Sequence, residues 1–210
     1  MLVWLNGPFG GGKTQTAHAL QRRLPGSVVC DPEHVGFGLH RMTPPALRGD
    51  FQDLPAWRQG VYEVLRDVAV RHPGDVLVPM TLVEPGYVEE VIGRLRRDGH
   101  AVTHVALLAE PATVRRRLRE RAYGRLGARL VRGGGVPRRE TFAEASLERC
   151  LQQLRRPGFA EQVWTDDLTL DEVVEAVAAL AGLTLVPQQG GRLRERLQQT
   201  SVTLRHVRWR

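Results

Sequence analysis

Short apolar runs alternate along the chain with longer segments in which apolar residues recur every three or four positions. The runs at 2–5, 27–30, 75–81, 101–108 and 163–165 predict buried strands. The periodic segments predict helices at 14–24, 55–72, 87–97, 111–121, 140–155 and 170–183. Strands that alternate with helices predict a three-layer α/β/α fold, in which a parallel sheet of about five strands is covered on both faces.

Two segments lack this periodicity. Residues 34–53 are rich in glycine and proline, and they predict a substrate-facing loop rather than a part of the sheet. Residues 122–139 are dominated by glycine and arginine, and we expect a mobile basic lid at about 121–140.

Residues 190–210 differ in character from the rest of the chain. One apolar stripe runs through them at spacings of three and four, and it consists of Leu193, Leu197, Thr200, Leu204 and Val207. A basic amphipathic helix of this kind suits a membrane interface, and it equally suits a helix that packs on its own domain or on a dimer partner. We therefore expect a globular domain over 1–189 and an amphipathic helix over 190–210.

The first predicted strand leads into the pattern G-x-x-x-x-G-K-[ST] at residues 7–14, and a predicted helix follows at once. This context is the one that a phosphate-binding P-loop requires. Glycines let backbone N–H groups turn toward an anion, and the positive end of the new helix points at the same place. Lys13 is expected to reach the β- and γ-phosphates, and the Thr14 hydroxyl is expected to ligate Mg²⁺. The expected nucleotide-binding residues are Gly7, Gly10, Gly11, Gly12, Lys13, Thr14 and Gln15.

Lys13 is also the only lysine among the 30 lysine and arginine residues of the chain. A compact, flexible ammonium differs from a planar guanidinium in how it binds phosphate, so a lysine kept at this position supports the P-loop interpretation.

Charged residues near the loop are candidates for catalysis. Asp31 follows the second predicted strand at the sheet edge where ligands bind, so it could accept a proton from a substrate hydroxyl or hold a Mg²⁺-bound water. The alternative is an ordinary turn, because Asp-Pro often initiates turns. Arg117 and Arg121 lie four apart on one helix and could close over a triphosphate, although a solvated basic face would have the same pattern.

The substrate-binding candidates are aromatic or polar residues that could stack on a planar ring or bond to it: Phe37, Arg41, Gln52, Trp57 and Thr81. Most isolated aromatic residues belong to protein cores, which is the alternative here. The third predicted strand ends in Pro79, Met80 and Thr81 rather than in the aspartate that normally supplies a second Mg²⁺ contact. The missing aspartate favours a protein that binds its ligand over one that turns over ATP.

The composition and charge of the chain limit its expected partners and its expected location in the cell. A net charge of +7 and a pI near 10.5 favour acidic partners such as phosphates, nucleic acid or an anionic membrane surface. Cys30 and Cys150 fit no zinc-ligand spacing and indicate buried thiols in a reducing cytosol. Met1 leads directly into the first strand, which leaves no room for a signal peptide, and no apolar stretch approaches the roughly 18 residues of a membrane span.

The order of P-loop, D-x-E after the second strand, R-L-x-x-R and basic lid resembles small-molecule kinases such as the gluconate, shikimate and adenylate kinases. Longer stretches resemble the bacterial tunicamycin-resistance family: W-L-N-G-P-F-G-G-G-K-T-Q-T-A at 4–17, D-P-E-H-V-G-F at 31–37 and D-F-Q-D-L-P-A-W-R at 50–58. The resemblance extends over nearly the whole chain.

This resemblance implies a P-loop NTPase with a nucleoside-kinase-like fold that uses ATP and Mg²⁺. It implies binding of tunicamycin, a uridine-containing and lipid-tailed drug, or of a related nucleoside-like molecule. It also implies a cytoplasmic protein with peripheral contact to anionic lipids on the inner face of the cell membrane, and no nucleic-acid partner. Three activities stay open: phosphorylation of a drug hydroxyl, ATP-dependent sequestration of the drug at the membrane, and phosphorylation of an ordinary metabolite.

Overall fold

A computed structural model of the chain describes residues 1–129 and 147–187, with side chains described over 1–120 and 147–187. Five parallel strands form a sheet in the order β2-β3-β1-β4-β5. Their bounds are β1 Leu2–Asn6, β2 Val28–Val29, β3 Val76–Pro79, β4 Val102–Leu108 and β5 Glu161–Trp164. The predicted α/β fold with a five-stranded parallel sheet is confirmed.

Helices connect the strands. Six of them are α1 Lys13–Arg23, α2 Glu33–Met42, α3 Pro55–Arg71, α5 Pro111–Arg129, α6 Leu147–Leu154 and α7 Leu170–Ala181. Helix α4 covers 85–97, where a π-helical turn at Glu89–Gly93 separates the α-helical turns Pro85–Val88 and Arg94–Arg97. Short 3₁₀ turns lie at Pro45–Leu47 and Phe51–Asp53. In the part of the chain that the structure describes, no helix has both the length and the apolar character needed to cross a membrane.

Both faces of the sheet are buried, because successive residues of a strand point to opposite sides. From β1, Val3 and Leu5 pack with residues of α1 and α7, whereas Leu2 and Trp4 pack with residues of α3 and α4. A third cluster joins the far end of β4 to α5 and α6, and Leu151 is one of its buried members. The three layers predicted from the alternation of strands and helices are therefore present.

Two predictions about irregular segments were wrong. Residues 34–53 were expected to form a loop, but most of the first half is the helix α2. Residues 122–139 were expected to lack regular structure, but the backbone of α5 stays helical as far as Arg129; the role of this segment as a lid stays a prediction. Arginine, leucine and alanine favour helix strongly enough to carry the backbone past Gly124 and Gly127. The rest of the expected lid and the tail over 190–210 lie outside the described residues.

Helix α2 contains glycine because it packs closely on an aromatic ring. A Cβ atom placed on Gly36 would lie 2.5 Å from Cγ of Phe51. That ring is buried, and it contacts Trp57 at 5.5 Å and His40 at 5.4 Å between ring centroids, so it has little room to move. Gly38 lies on the same helix and has open space around it. Gly36 thus reflects a close contact within a helix rather than a loop.

This contrast gives a prediction for two alanine substitutions in α2. Gly38→Ala should raise the free energy of unfolding by about 0.5–1 kcal/mol, because alanine forms helix more readily than glycine. Gly36→Ala gains the same helix propensity but overpacks against Phe51, so it should lower stability by about 1–2 kcal/mol. Urea denaturation followed by circular dichroism measures both, with Gly38→Ala as the matched control. Equal stabilisation by the two variants would contradict the packing.

Candidate functional site

The loop at residues 7–12 joins β1 to α1 at the carboxyl edge of the sheet. Three of its glycines have positive φ angles, +147° at Gly7, +81° at Gly10 and +89° at Gly12. Side chains rarely adopt this backbone conformation, so the loop requires glycine at these positions. A Cβ atom on Gly7 would also lie 2.7 Å from the carbonyl oxygen of Leu107 on β4. The glycines therefore set both the shape of the loop and its close approach to the sheet.

Helix α1 begins directly after this loop, at Lys13. Gly12 is its N-cap residue, and no side chain caps the helix there. The first backbone N–H groups of a helix have no partner within the helix, and the helix dipole places positive charge at the same end. An uncapped N-terminus beside a loop of left-handed glycines is a site for phosphate. Thr14 and Gln15 lie in this first helical turn, as the nucleotide-binding prediction requires.

Lys13 reaches back across the loop. Its Nζ atom donates hydrogen bonds to the carbonyl oxygens of Gly7 at 2.8 Å and Pro8 at 2.9 Å, and it lies 5.6 Å from the centre of the Phe9 ring. The ammonium group is therefore held over the concave side of the loop. Phosphate oxygens placed there could take the place of these carbonyl partners.

The side-chain amide of Asn6 holds the start of the loop in place, a role that no sequence motif indicated. Its Oδ1 atom accepts hydrogen bonds from the backbone N–H of Gly7 at 2.8 Å and of Leu82 at 3.0 Å. Its Nδ2 atom donates to the carbonyl oxygen of Leu82 at 2.6 Å and lies 2.9 Å from Nε2 of His104. Asn6 is fully buried, and all four hydrogen-bonding positions of its amide are satisfied.

This arrangement determines the state of His104. Because the Asn6 oxygen accepts from two backbone N–H groups, its nitrogen must face His104 and donate, so Nε2 of His104 carries no proton. Burial, aided by the charge of Arg96, lowers the pKa of His104 from 6.5 to about 4. The neutral imidazole therefore acts as a structural acceptor behind the phosphate loop.

Thr81 also supports the loop, through a contact that differs from the predicted one. It was expected to bind substrate, but its hydroxyl donates a 2.7 Å hydrogen bond to the carbonyl oxygen of Gly7. The side chain of Gln52 in turn donates to the carbonyl oxygen of Thr81 at 3.1 Å. The end of β3 is thus tied to the loop on one side and to the Phe51–Asp53 turn on the other.

Asp31 lies at the carboxyl edge of the sheet, directly after β2, as predicted. Its Oδ1 atom accepts a 2.9 Å hydrogen bond from the backbone N–H of Glu33 at the start of α2. Phe37 and Arg41 lie further along this helix. Trp57, another expected substrate residue, is fully buried, and its ring nitrogen donates to the carbonyl oxygen of Pro32. Its ring therefore supports the core beneath α2 and has no exposed surface for a ligand.

Arg117 is anchored at the same sheet edge. Its guanidinium donates to the hydroxyl of Thr165 at 2.9 Å and to the carbonyl oxygen of Thr165 at 2.7 Å, just after β5. The side chain of Arg121 lies outside the described residues. Within the described part of the chain, no group of three or more histidine, cysteine, aspartate or glutamate residues could hold a metal ion.

A cavity of about 260 Å³ opens beside the phosphate loop. Pro8 and Phe9 of the loop form one wall, and residues of the Phe51–Asp53 turn, the start of α4 and the start of α6 form the others. Gln52 and Thr81 line it, whereas the other predicted substrate residues are not among its described lining. Cys150 also faces it, and burial raises the pKa of that thiol to about 11, so the sulfur stays protonated. The cavity therefore lies directly beside the loop whose shape suits phosphate.

The His104 contact predicts a pH dependence of stability. The unfolded chain binds a proton at His104 below about pH 6.5, whereas the folded chain binds it only below about pH 4. The contribution of His104 to the free energy of unfolding should therefore be greatest above pH 6.5. It should fall by about 3 kcal/mol as the pH is lowered toward 4. His104→Gln, which cannot titrate, should flatten this part of the profile in urea unfolding experiments. His100→Gln is the control, and an unchanged slope in His104→Gln would contradict the assignment.

Comparisons with known proteins agree with this geometry. Residues 2–157 match the protein-family model described as AAA domain. No curated protein matches the chain. Among solved structures, the tunicamycin resistance protein of Deinococcus radiodurans is 31% identical, with 89% of this chain and 99% of that chain covered and a TM-score of 0.70.

Two kinase structures share the fold at lower identity. The APS kinase of Mycobacterium tuberculosis, in complex with AMPPNP and APS, is 18% identical, with 86% of this chain and 96% of that chain covered and a TM-score of 0.55. A gluconokinase from Sinorhizobium meliloti is 17% identical, with 95% and 96% covered and a TM-score of 0.57. The match over residues 2–157 shows that the chain belongs to the AAA domain family, and the 31% identity over 89% of the chain shows that it belongs to the same family as the tunicamycin resistance protein of Deinococcus radiodurans.

Proposed function

We propose that this protein binds ATP and confers resistance to tunicamycin by holding the uridine-containing drug in the cavity beside the phosphate loop and phosphorylating one of its hydroxyls. The observation that carries the proposal is the position of that cavity, whose wall includes Pro8 and Phe9 of the loop itself. An acceptor in the cavity would lie next to the terminal phosphate of a nucleotide bound at Lys13. The similarity to the Deinococcus radiodurans tunicamycin resistance protein supports the choice of drug.

The nucleotide would be held by the phosphate loop, the first turn of α1 and Lys13. The N–H groups of the loop and of the first turn of α1 would bind the phosphate oxygens, and Lys13 would exchange its carbonyl partners for the β- and γ-phosphates. The Thr14 hydroxyl would ligate Mg²⁺, with Asp31 holding one of its waters. ATP supplies the phosphoryl group, and the chain contributes positioning and charge.

Asp31 is the proposed base. In the transfer, a drug hydroxyl gives its proton to Asp31 as its oxygen bonds to the γ-phosphorus, while the bond from that phosphorus to the bridging oxygen breaks and ADP leaves. Arg117 and Arg121 would neutralise charge on the transferred group. Arg117 would then exchange its hydrogen bonds to Thr165 for phosphate oxygens.

A second candidate is ATP-dependent sequestration of the drug without chemistry. The observation that favours it lies at the described end of β3, where Pro79, Met80 and Thr81 provide no carboxylate for Mg²⁺. Binding of a lipid-tailed drug needs no second metal contact, whereas efficient turnover usually does.

The mass of tunicamycin after incubation with the protein and Mg-ATP tests the proposal. We expect the drug to gain about 80 Da, the mass of one phosphoryl group as HPO₃. Asp31→Asn should slow this reaction by about a hundredfold or more while leaving ATP affinity unchanged. Glu33→Gln, which alters a carboxylate two residues away, is the matched control. Lys13→Ala should weaken ATP binding by about tenfold to a hundredfold.

Unchanged drug mass together with saturable, ATP-dependent drug binding would replace the kinase with sequestration. Full turnover in Asp31→Asn would remove Asp31 as the base without affecting the kinase assignment. ATP affinity that survives in Lys13→Ala would overturn the nucleotide site and with it both candidates.

We also propose that the protein is cytoplasmic and that residues 190–210 bind anionic lipids on the inner face of the cell membrane. The support is the sequence alone, an apolar stripe with arginines on the other faces, because these residues lie outside the described part of the chain.

Removal of residues 190–210 tests the membrane contact. The full chain should sediment with vesicles that contain phosphatidylglycerol, and less so at high salt, because the attraction is partly electrostatic. The shortened chain should stay in the supernatant while keeping its ATP affinity. Equal sedimentation of the two chains would assign the apolar stripe to packing within the protein or between copies of it.

A further inference from the structure

A tyrosine and an aspartate form a hydrogen-bonded pair in the wall of the cavity. The Tyr87 hydroxyl, at the start of α4, donates to Oδ1 of Asp53 at 2.9 Å, and both residues line the cavity. This hydrogen bond raises the pKa of Tyr87, so the phenol stays protonated. Among the described residues, none donates a hydrogen bond to Oδ2 of Asp53. The pair therefore presents a carboxylate oxygen and a phenol oxygen that can accept hydrogen bonds from a ligand.

The buried side chain of Arg58 holds both residues of this pair in place. Arg58 of α3 stacks on the Tyr87 ring, with its guanidinium carbon 4.3 Å from the ring centre. It donates to the carbonyl oxygen of Gln52 at 2.6 Å and to the carboxylate of Glu90 at 2.6 Å. Because Gln52 precedes Asp53 and Glu90 lies on α4 beyond Tyr87, one side chain holds both members of the pair. A cavity wall built in this way is organised before any ligand binds.

The charges of the described cavity wall select the kind of ligand. Three carboxylates line it, those of Asp50, Asp53 and Glu84. The one described basic side chain in the wall is that of Arg149, and it forms an ion pair with Glu84. An anionic acceptor placed near Asp53 would meet like charge, which disfavours binding. A neutral molecule with several hydroxyls would instead donate hydrogen bonds to the carboxylate of Asp53.

We propose that Asp53 and Tyr87 form the subsite that binds hydroxyl groups of a neutral, polyhydroxylated acceptor, such as the sugar of a nucleoside. This inference rests on the proposed function only in taking the cavity as the place of the acceptor. It distinguishes this cavity from one built for a carboxylate or phosphate ester. In this subsite Asp53 binds and orients the acceptor, whereas the base proposed above is Asp31.

The chain supplies its own control, a second copy of the same contacts away from the cavity. The Tyr62 hydroxyl donates to Asp98, and Arg94 stacks on the Tyr62 ring with its guanidinium carbon 3.7 Å from the ring centre. This copy joins α3 to the far end of α4, next to the amino-terminal edge of the sheet. Changes there should affect stability in the same way as changes at the cavity, but not the binding of an acceptor.

Equilibrium binding of a panel of probes to the full chain, with Mg-AMPPNP present, tests the subsite. The neutral probes are tunicamycin and uridine, and the anionic probes are gluconate and shikimate. We expect a neutral probe to bind more tightly than either anion. Asp53→Asn and Tyr87→Phe should weaken it by about tenfold or more, the loss expected for a hydrogen bond to a charged group. Asp98→Asn and Tyr62→Phe should leave it within about twofold. AMPPNP affinity should be unchanged in all four variants.

The outcomes distinguish failure of the proposed subsite from failure of the proposed drug assignment. If uridine binds in a manner that depends on Asp53 and tunicamycin does not bind, the subsite stands and the drug assignment falls. If tunicamycin binds equally well to wild type, Asp53→Asn and Tyr87→Phe, the subsite is overturned and the drug assignment stands. Tighter binding of the anions, or no binding of either neutral probe at millimolar concentration, also overturns the subsite.

Discussion

The buried amide of Asn6 joins three parts of the chain that are far apart in sequence. It bonds to the first residue of the phosphate loop, to Leu82 after β3, and to His104 in β4. A buried polar group left without a partner costs about 1–3 kcal/mol, so the four hydrogen bonds must form together or the site is strained. Every later feature of the loop depends on where this amide places Gly7. The same hydrogen bonds require a neutral His104, because its Nε2 atom accepts a hydrogen bond from Asn6.

The parallel sheet brings the other parts of the site to the same edge as the phosphate loop. All five strands end at one edge, which brings the loop after β1, Asp31 after β2, Thr81 after β3 and Thr165 after β5 to the same side of the protein. Ligands bind at this edge in parallel α/β proteins, at the point where the chain connections change direction. Here that point is β1, because the chain leaves it for β2 and β3 on one side and continues with β4 and β5 on the other.

Features that depend on local sequence could be predicted, and features that depend on distant partners could not. The strands, most helices and the phosphate loop follow from periodicity and from glycines at fixed spacing. The role of Asn6 could not be foreseen, because its partners Leu82 and His104 lie 76 and 98 residues away. Helix α2 was missed because Gly36 is explained only by Phe51, which packs against it from a later segment. Tryptophan is a residue type that can stack on a planar ligand, and only its burial shows that Trp57 belongs to the core.

The π-helical turn at Glu89–Gly93 has a consequence for the wall of the cavity. A π turn accommodates one more residue than an α-helical turn, and one residue of helix corresponds to a rotation of about 100°. Loss of a single residue there would rotate Tyr87 relative to Leu95, so that Tyr87 would leave the cavity wall if Leu95 kept its place in the core. A change of one residue in the length of α4 would therefore alter this wall of the cavity and leave the phosphate loop as it is.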